Sequence, residues 1–237
     1  MNTKDLVLTS ALGFALTAGA ALADNPVLGG PMLHLLISQN GNALEIDYET
    51  PVSGPVELFQ YPNDTYTGPA AVLNGTYYNA QFGWLANGFF SLPPGSGVFV
   101  QKISSSADLR VYNAFDFSPI LGTNGSSDVW QWTGEMTHNW YAADGPGQYT
   151  ATYRVYVGDA TTSQPLAGWG DAMLTLEWFV PNDCLADVNA DGNLDATDFT
   201  AWIAAFNAND PKADQNQDGS IDPSDFTAWI ANFNAGC

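Results

Sequence analysis

Side chains with oxygen donors recur at a fixed spacing twice near the end of this 237-residue chain. Asp187, Asn189, Asp191, Asn193, Asp195 and Asp198 stand at positions 1, 3, 5, 7, 9 and 12 of a stretch that returns 27 residues later as Asp214, Asn216, Asp218, Ser220, Asp222 and Asp225. Gly192 and Gly219 fall at position 6, and Leu194 and Ile221 at position 8. A hard divalent cation such as Ca2+ takes six to eight oxygens, and a short loop encloses it when alternate residues face inward and a glycine makes the sharp turn. Positions 1, 3 and 5 offer side-chain oxygen, position 7 its carbonyl, and position 12 closes the shell from the next helix. The expected complement is two calcium ions, one per loop. Without metal, like charges crowd each loop, and the tail is expected to loosen or unfold.

The elements that must hold these donors are legible on either side. Phe199, Trp202, Ile203 and Phe206, and again Phe226, Trp229, Ile230 and Phe233, fall at i, i+3, i+4 and i+7, which predicts one amphipathic helix after each loop. Asp195 and Asp222 suit the N-cap and Pro223 the first helical turn. Leu194 and Ile221 point away from the ion, where the two loops could pair. No helix fits before the first loop, because Pro181-Asn-Asp-Cys-Leu-Ala leads straight into Asp187.

A tandem of calcium loops of the EF-hand type, each with only its exiting helix, resembles the type I dockerin domain over 184–237. The resemblance implies a calcium-dependent plug that binds a cohesin-like domain on an extracellular or cell-surface protein. Cellulosomal members favour Ser-Thr at loop positions 10 and 11 and a basic residue further along the helix. This chain has Ala196-Thr197 and Pro223-Ser224, and no Lys or Arg in either helix. The only two cysteines, Cys184 and Cys237, bracket the repeat and are expected to pair in an oxidising compartment, restraining the unfolded chain by about 4 kcal/mol.

Residues 1–23 read as a signal peptide: Lys4, an apolar run from about Leu6 to Leu22, and Ala21-Leu22-Ala23 for cleavage. The expected product is secreted, extracellular or attached to a cell surface, with no membrane span after processing. A net charge of −20 argues against nucleic acid as a partner. Ten of the acids are aspartates from 182 onward, so part of that charge is metal-binding capacity.

Residues 24–181 are rich in Gly, Pro, Asn, Ser, Thr and aromatics, with no long helical period, and predict a β-sandwich, immunoglobulin-like or jelly roll. The expected architecture is therefore mainly β, followed by a small α-helical calcium module over 182–237. Leu33–Ser38 and Ala43–Glu49 form a hairpin around 39–42, with Leu44, Ile46 and Tyr48 inward. Gly97–Ile103 and Asp108–Tyr112 form strands about a turn at Ser104–Ser106, and Gln148–Val157 and Ala172–Val180 the last two. Asp144-Gly-Pro-Gly-Gln-Tyr149 is similar to a tyrosine corner.

Chemistry in this part is sparse. His34 reads as structural, and His138, beside Glu135 and Trp140, as the one site candidate. No nucleophile elbow, zinc-protease motif or phosphate loop occurs. Three functions follow: a secreted calcium-binding attachment protein; a carbohydrate-binding module stacking a polysaccharide on some of Trp84, Trp130, Trp132, Trp140 and Trp169; or a polysaccharide-degrading enzyme, an O-glycosyl hydrolase using two of Glu45, Glu57, Glu135 and Glu177. No catalytic residue is assigned.

Overall fold

The structure, a computed structural model, describes residues 21–22, 25–61, 64–181 and 184–236. Ala21–Leu22 pairs in parallel with Asp64–Thr65; the rest of the predicted signal segment lies outside the described residues.

The N-terminal part is built from strands β1 (Leu33–Asn40), β2 (Ala43–Tyr48), β3 (Val56–Glu57), β4 (Phe59–Gln60), β5 (Tyr77–Asn79), β6 (Phe82–Ala86) and β7 (Ser96–Ser105). It continues with β8 (Arg110–Tyr112), β9 (Pro119–Ile120), β10 (Val129–Trp132), β11 (Thr137–His138), β12 (Trp140–Ala143), β13 (Gly147–Asp159) and β14 (Ala172–Val180). One sheet runs β10-β7-β13-β14-β3. Facing it are a four-stranded sheet, β11-β6-β1-β2, and a five-stranded one, β9-β8-β12-β5-β4. These two share continuous chain, since β5 leads into β6 and β11 into β12, so they act as one bent layer interrupted at Ala80–Gln81 and Asn139. The fold is a mainly β sandwich with a helical C-terminal segment, as the composition and patterning predict.

Alternation explains the core. Tyr149, Ala151, Tyr153, Val155 and Val157 of β13 face Leu35 and Ile37 of β1 and Phe82 and Trp84 of β6 inside one cluster that also takes in Trp132 and Trp178. The bent layer has a second covered face, where Tyr78, Tyr112, Trp140 and Ala142 pack under Tyr66 and Leu73. The β1–β2 hairpin turns on Gly41-Asn42, with Gly41 at φ 59°, a conformation that favours glycine. Tyr149 closes the expected corner by donating its hydroxyl to the Gly145 carbonyl, 2.6 Å away.

Two expectations are refined here, and a register shift adds a feature that the strand pattern does not predict. Tyr48 faces inward as predicted, its hydroxyl donating to the Thr175 carbonyl of the facing strand β14 at 3.4 Å, but it stays 38% exposed because β2 is an edge strand. Strand β7 runs through Ser104 and Ser105, so the turn begins later, at Ser106. The register against β13 slips between Thr152 and Tyr153, leaving Ile103 unpaired and exposed as a β-bulge.

The C-terminal part has its own core of Ala186, Val188, Trp202, Ala205, Ala213 and Trp229, between helices α1 (Ala196–Ala208) and α2 (Pro223–Ala235).

Candidate metal centre

Both helices start as the sequence predicts. Asp195 and Asp222 are N-caps in complete capping boxes, their side chains accepting from Thr197 N–H and Ser224 N–H while Asp198 and Asp225 reach back to the cap N–H groups. Hydrogen bonds from Thr197 and from Ser224, hydroxyl first and then backbone, hold the Asp195 and Asp222 carboxyls below the usual carboxylate range. The apolar stripe is narrower than predicted. Ile203 and Ile230 are each 41% exposed and Phe226 is 40% exposed, while the small Ala205 is buried in the core. Two helices alone cannot cover a stripe of four large side chains on both partners.

Within the first loop, Asp187 accepts from Asp191 N–H at 3.2 Å and from Gly192 N–H at 2.9 Å. Asn189 Oδ1 accepts from Asp191 N–H, and Asp191 Oδ1 from Asn193 N–H. The second loop repeats this bond for bond: Asp214 accepts from Asp218 and Gly219 N–H, Asn216 Oδ1 from Asp218 N–H, and Asp218 Oδ1 from Ser220 N–H. Gly192 and Gly219 have φ of 80° and 83°, the left-handed turn expected of position 6. Position 4 is left-handed as well, at Ala190 (φ 58°) and Gln217 (φ 57°), a conformation with no signal in the residue types because neither is glycine.

The closing aspartates carry the decisive burial. Asp198 and Asp225 are fully buried. Asp198 accepts from Asn189 and Asp195 N–H, and Asp225 from Gln215, Asn216 and Asp222 N–H. Carboxylates taken out of water beside further carboxylates are costly unless a cation compensates them. Among the described residues, no three acidic, imidazole or thiolate side chains are already drawn to a single point at metal-binding distance. The fit to Ca2+ rests on the backbone turn, the all-oxygen donor set and the two buried closing carboxylates. Position 1 of both loops, Asp187 and Asp214, lines one groove of about 520 Å3 together with Val188, Lys212 and Gln215.

Residues 185–234 match the family profile described as the dockerin type I domain. The C-terminal module is a type I dockerin-like domain. Such domains bind calcium, which the loop geometry accommodates. No curated protein matches the chain. Two features of this dockerin module escape local spacing. Thr197 and Ser224, at position 11, turn their hydroxyls into the loop: each donates to its N-cap aspartate and accepts from the amide of Asn189 or Asn216. Leu194 and Ile221 form no β-bridge among the described residues and pack instead against the module's core.

The remaining predicted positions fall elsewhere. Cys237 lies outside the described residues, and with it the predicted bond to Cys184. The tryptophan platform is corrected: Trp84, Trp132 and Trp140 are buried, and Trp130 and Trp169 are partly buried against the core, so no row of exposed indoles is available to a sugar. Packing won because each indole projects from an inward register position of its strand or covers the core edge. Neither the cavity lined by Gln101, Arg154 and Tyr156 nor that lined by Ile46, Tyr48 and Met173 contains a glutamate.

His34 and His138 are brought together. Gly83 pairs with His34 on one side and His138 on the other, and the two rings meet edge to face at 5.5 Å. His138 Nδ1 bonds the Ala80 carbonyl at 2.8 Å, and His34 Nδ1 bonds Glu49 Oε2 at 2.5 Å. A Cβ on Gly83 would sit 2.4 Å from His138 Nε2, so the glycine makes room for the ring. Burial first, and His34 second, push the His138 pKa below its ordinary value, against the Ala80 hydrogen bond. A ring closed in this way is a packing element, and His138 is not assigned a site role. Among the described residues, no helix is long and apolar enough to cross a membrane.

Proposed function

We propose that this is an exported attachment protein, in which a calcium-loaded dockerin module fixes the N-terminal β-sandwich to a cohesin-like partner outside the cell. The observation that carries the reading is the repetition, in both loops, of the hydrogen bonds made by positions 1, 3 and 5, beside a closing aspartate that is fully buried in each. Asp187, Asn189, Asp191, Asp198 and the carbonyl of Asn193 would hold one Ca2+; Asp214, Asn216, Asp218, Asp225 and the carbonyl of Ser220 a second. Asp195 and Asp222 cap the helices and meet the ion only through water. Bound calcium offsets part of the negative charge crowded in each loop, and it lets both helices stand as a rigid binding surface.

Secretion follows from the reading of residues 1–23, and a Cys184–Cys237 bridge would tie the module's ends. Among the described residues both α-helices lie in this module, so ellipticity at 222 nm reports its state. The full chain gains that signal with calcium and loses it with chelator, and Asp187→Ala with Asp214→Ala abolishes the response. A spectrum indifferent to calcium refutes the proposal. Calcium-dependent capture of a cohesin-type protein from the producer's envelope identifies the partner, and capture that persists in chelator counts against the dockerin module as the attachment.

A further inference from the structure

Among the described residues no helix enters the first loop of the dockerin module, and the structure shows what stands in for one. Ala186 and Ala213 each immediately precede a loop, and both are completely buried. The indole N–H of Trp229, on the helix that leaves the second loop, donates to the Ala186 carbonyl at 3.2 Å, at the mouth of the first loop. The indole N–H of Trp202, on the helix that leaves the first loop, donates to the Ala213 carbonyl at 3.2 Å, at the mouth of the second. The helices cross-pack through the same rings: Phe199 lies 5.1 Å from Trp229, and Trp202 lies 5.4 Å from Phe226. Each loop is therefore anchored at its first ligand by the other repeat's helix.

A third tie acts on the first loop alone. Gln215, buried at position 2 of the second loop, donates to the Leu185 carbonyl at 2.6 Å, and Asn232 of α2 holds Gln215 through both its oxygens. The equivalents of Gln215 and Asn232 in the first repeat are Val188 and Ala205, which cannot make these bonds.

We propose that Trp229 and Trp202 are crossed positioning residues, Trp229 setting the calcium affinity of the Asp187–Asp198 loop and Trp202 that of the Asp214–Asp225 loop. This rests on the reading of both loops as calcium sites. An indole that fixes the backbone carbonyl just before position 1 fixes where that aspartate starts, and a loop that starts in place loses less entropy on closing around its ion. Coupling between the loops follows, because ordering one helix orders the mouth of the opposite loop.

The test is a calcium titration of the full chain followed by the backbone amide signals of Gly192 and Gly219, whose N–H groups bond Asp187 and Asp214 and so report one loop each. Trp229→Phe keeps an aromatic ring against Phe199 and Phe233 and removes the N–H. It should raise the Gly192 midpoint between about 2- and 12-fold, the worth of one net hydrogen bond, and move Gly219 less. Trp202→Phe should do the reverse. In the unsubstituted chain, which needs no variant to fold, the Trp229 indole N–H signal should follow Gly192 and that of Trp202 should follow Gly219.

Equal displacement of both loops, displacement of the loop in the mutated repeat, or no displacement overturns the crossed assignment, as does an indole signal that follows its own repeat's glycine. If neither glycine responds to calcium in the unsubstituted chain, it is the calcium reading itself that fails.

Discussion

Replacing Asp225 by Asn changes one oxygen into an NH2 group at a fully buried position. The carboxylate accepts three backbone N–H groups: Gln215 at 2.9 Å and Asn216 at 3.3 Å on Oδ1, and Asp222 at 2.9 Å on Oδ2. An amide can accept on one oxygen only, so its NH2 must face either the Asp222 N–H or the pair from Gln215 and Asn216. At least one bond to a charged acceptor is lost, worth about 1.5–3 kcal/mol, and two donors are left facing each other. In a module this small a degree of temperature stands for little free energy: each kcal/mol shifts the midpoint by roughly 4–8 °C. A midpoint lower by at least about 6 °C is expected in saturating calcium, read at 222 nm on the full chain. Asp210→Asn is the control, because Asp210 is an exposed N-cap for Lys212 N–H and asparagine caps as well as aspartate. A midpoint for Asp225→Asn within 1 °C of that control would refute the assignment of Asp225 as the buried closing ligand.

Gly83→Ala should destabilise the β-sandwich by about 1–3 kcal/mol in urea unfolding, since its Cβ would strike the His138 ring; the cost should shrink in a His138→Ala background, and an equal cost in both removes the histidine from the argument. The lowered His138 pKa fixes the sign of a pH effect: the unfolded chain takes up this proton first, so the stabilisation is complete above about pH 6.5 and is lost as pH falls through the lower folded value. Sandwich stability should therefore fall between pH 7 and pH 5, and fall less in His138→Gln; identical pH profiles exclude the effect. Intact mass should rise by two hydrogens on reduction if Cys184 and Cys237 are joined, and an unchanged mass rules the bridge out.

Local patterns carried a large part of this protein into view. The two tail loops, their N-caps and the two helices follow from spacing alone, since each is defined by side chains within twelve positions of one another and bonds the backbone beside it. Strand β14 coincides with its predicted span because nine residues without a turn former leave it no other reading. The Tyr149 corner is equally local, its partner being four residues away. Even within such segments solvent exposure is not legible: Ile203, Phe226 and Ile230 lie on the predicted apolar stripes yet are exposed, because exposure depends on what another element covers.

The sequence by itself thus determined the local chemistry of the tail: oxygen donors at fixed intervals and a glycine at position 6 bend each short loop and bond the backbone beside them. Only the tertiary structure decided which groups distant in the chain serve that loop or are withdrawn from use. Trp229 reaches Ala186 across 43 positions, and His138 meets His34 through a glycine on the strand between them. The same packing buries the indoles that could have stacked on a sugar. Pairing between strands and between helices is fixed by the total apolar surface buried, to which no single stretch of residues holds the answer.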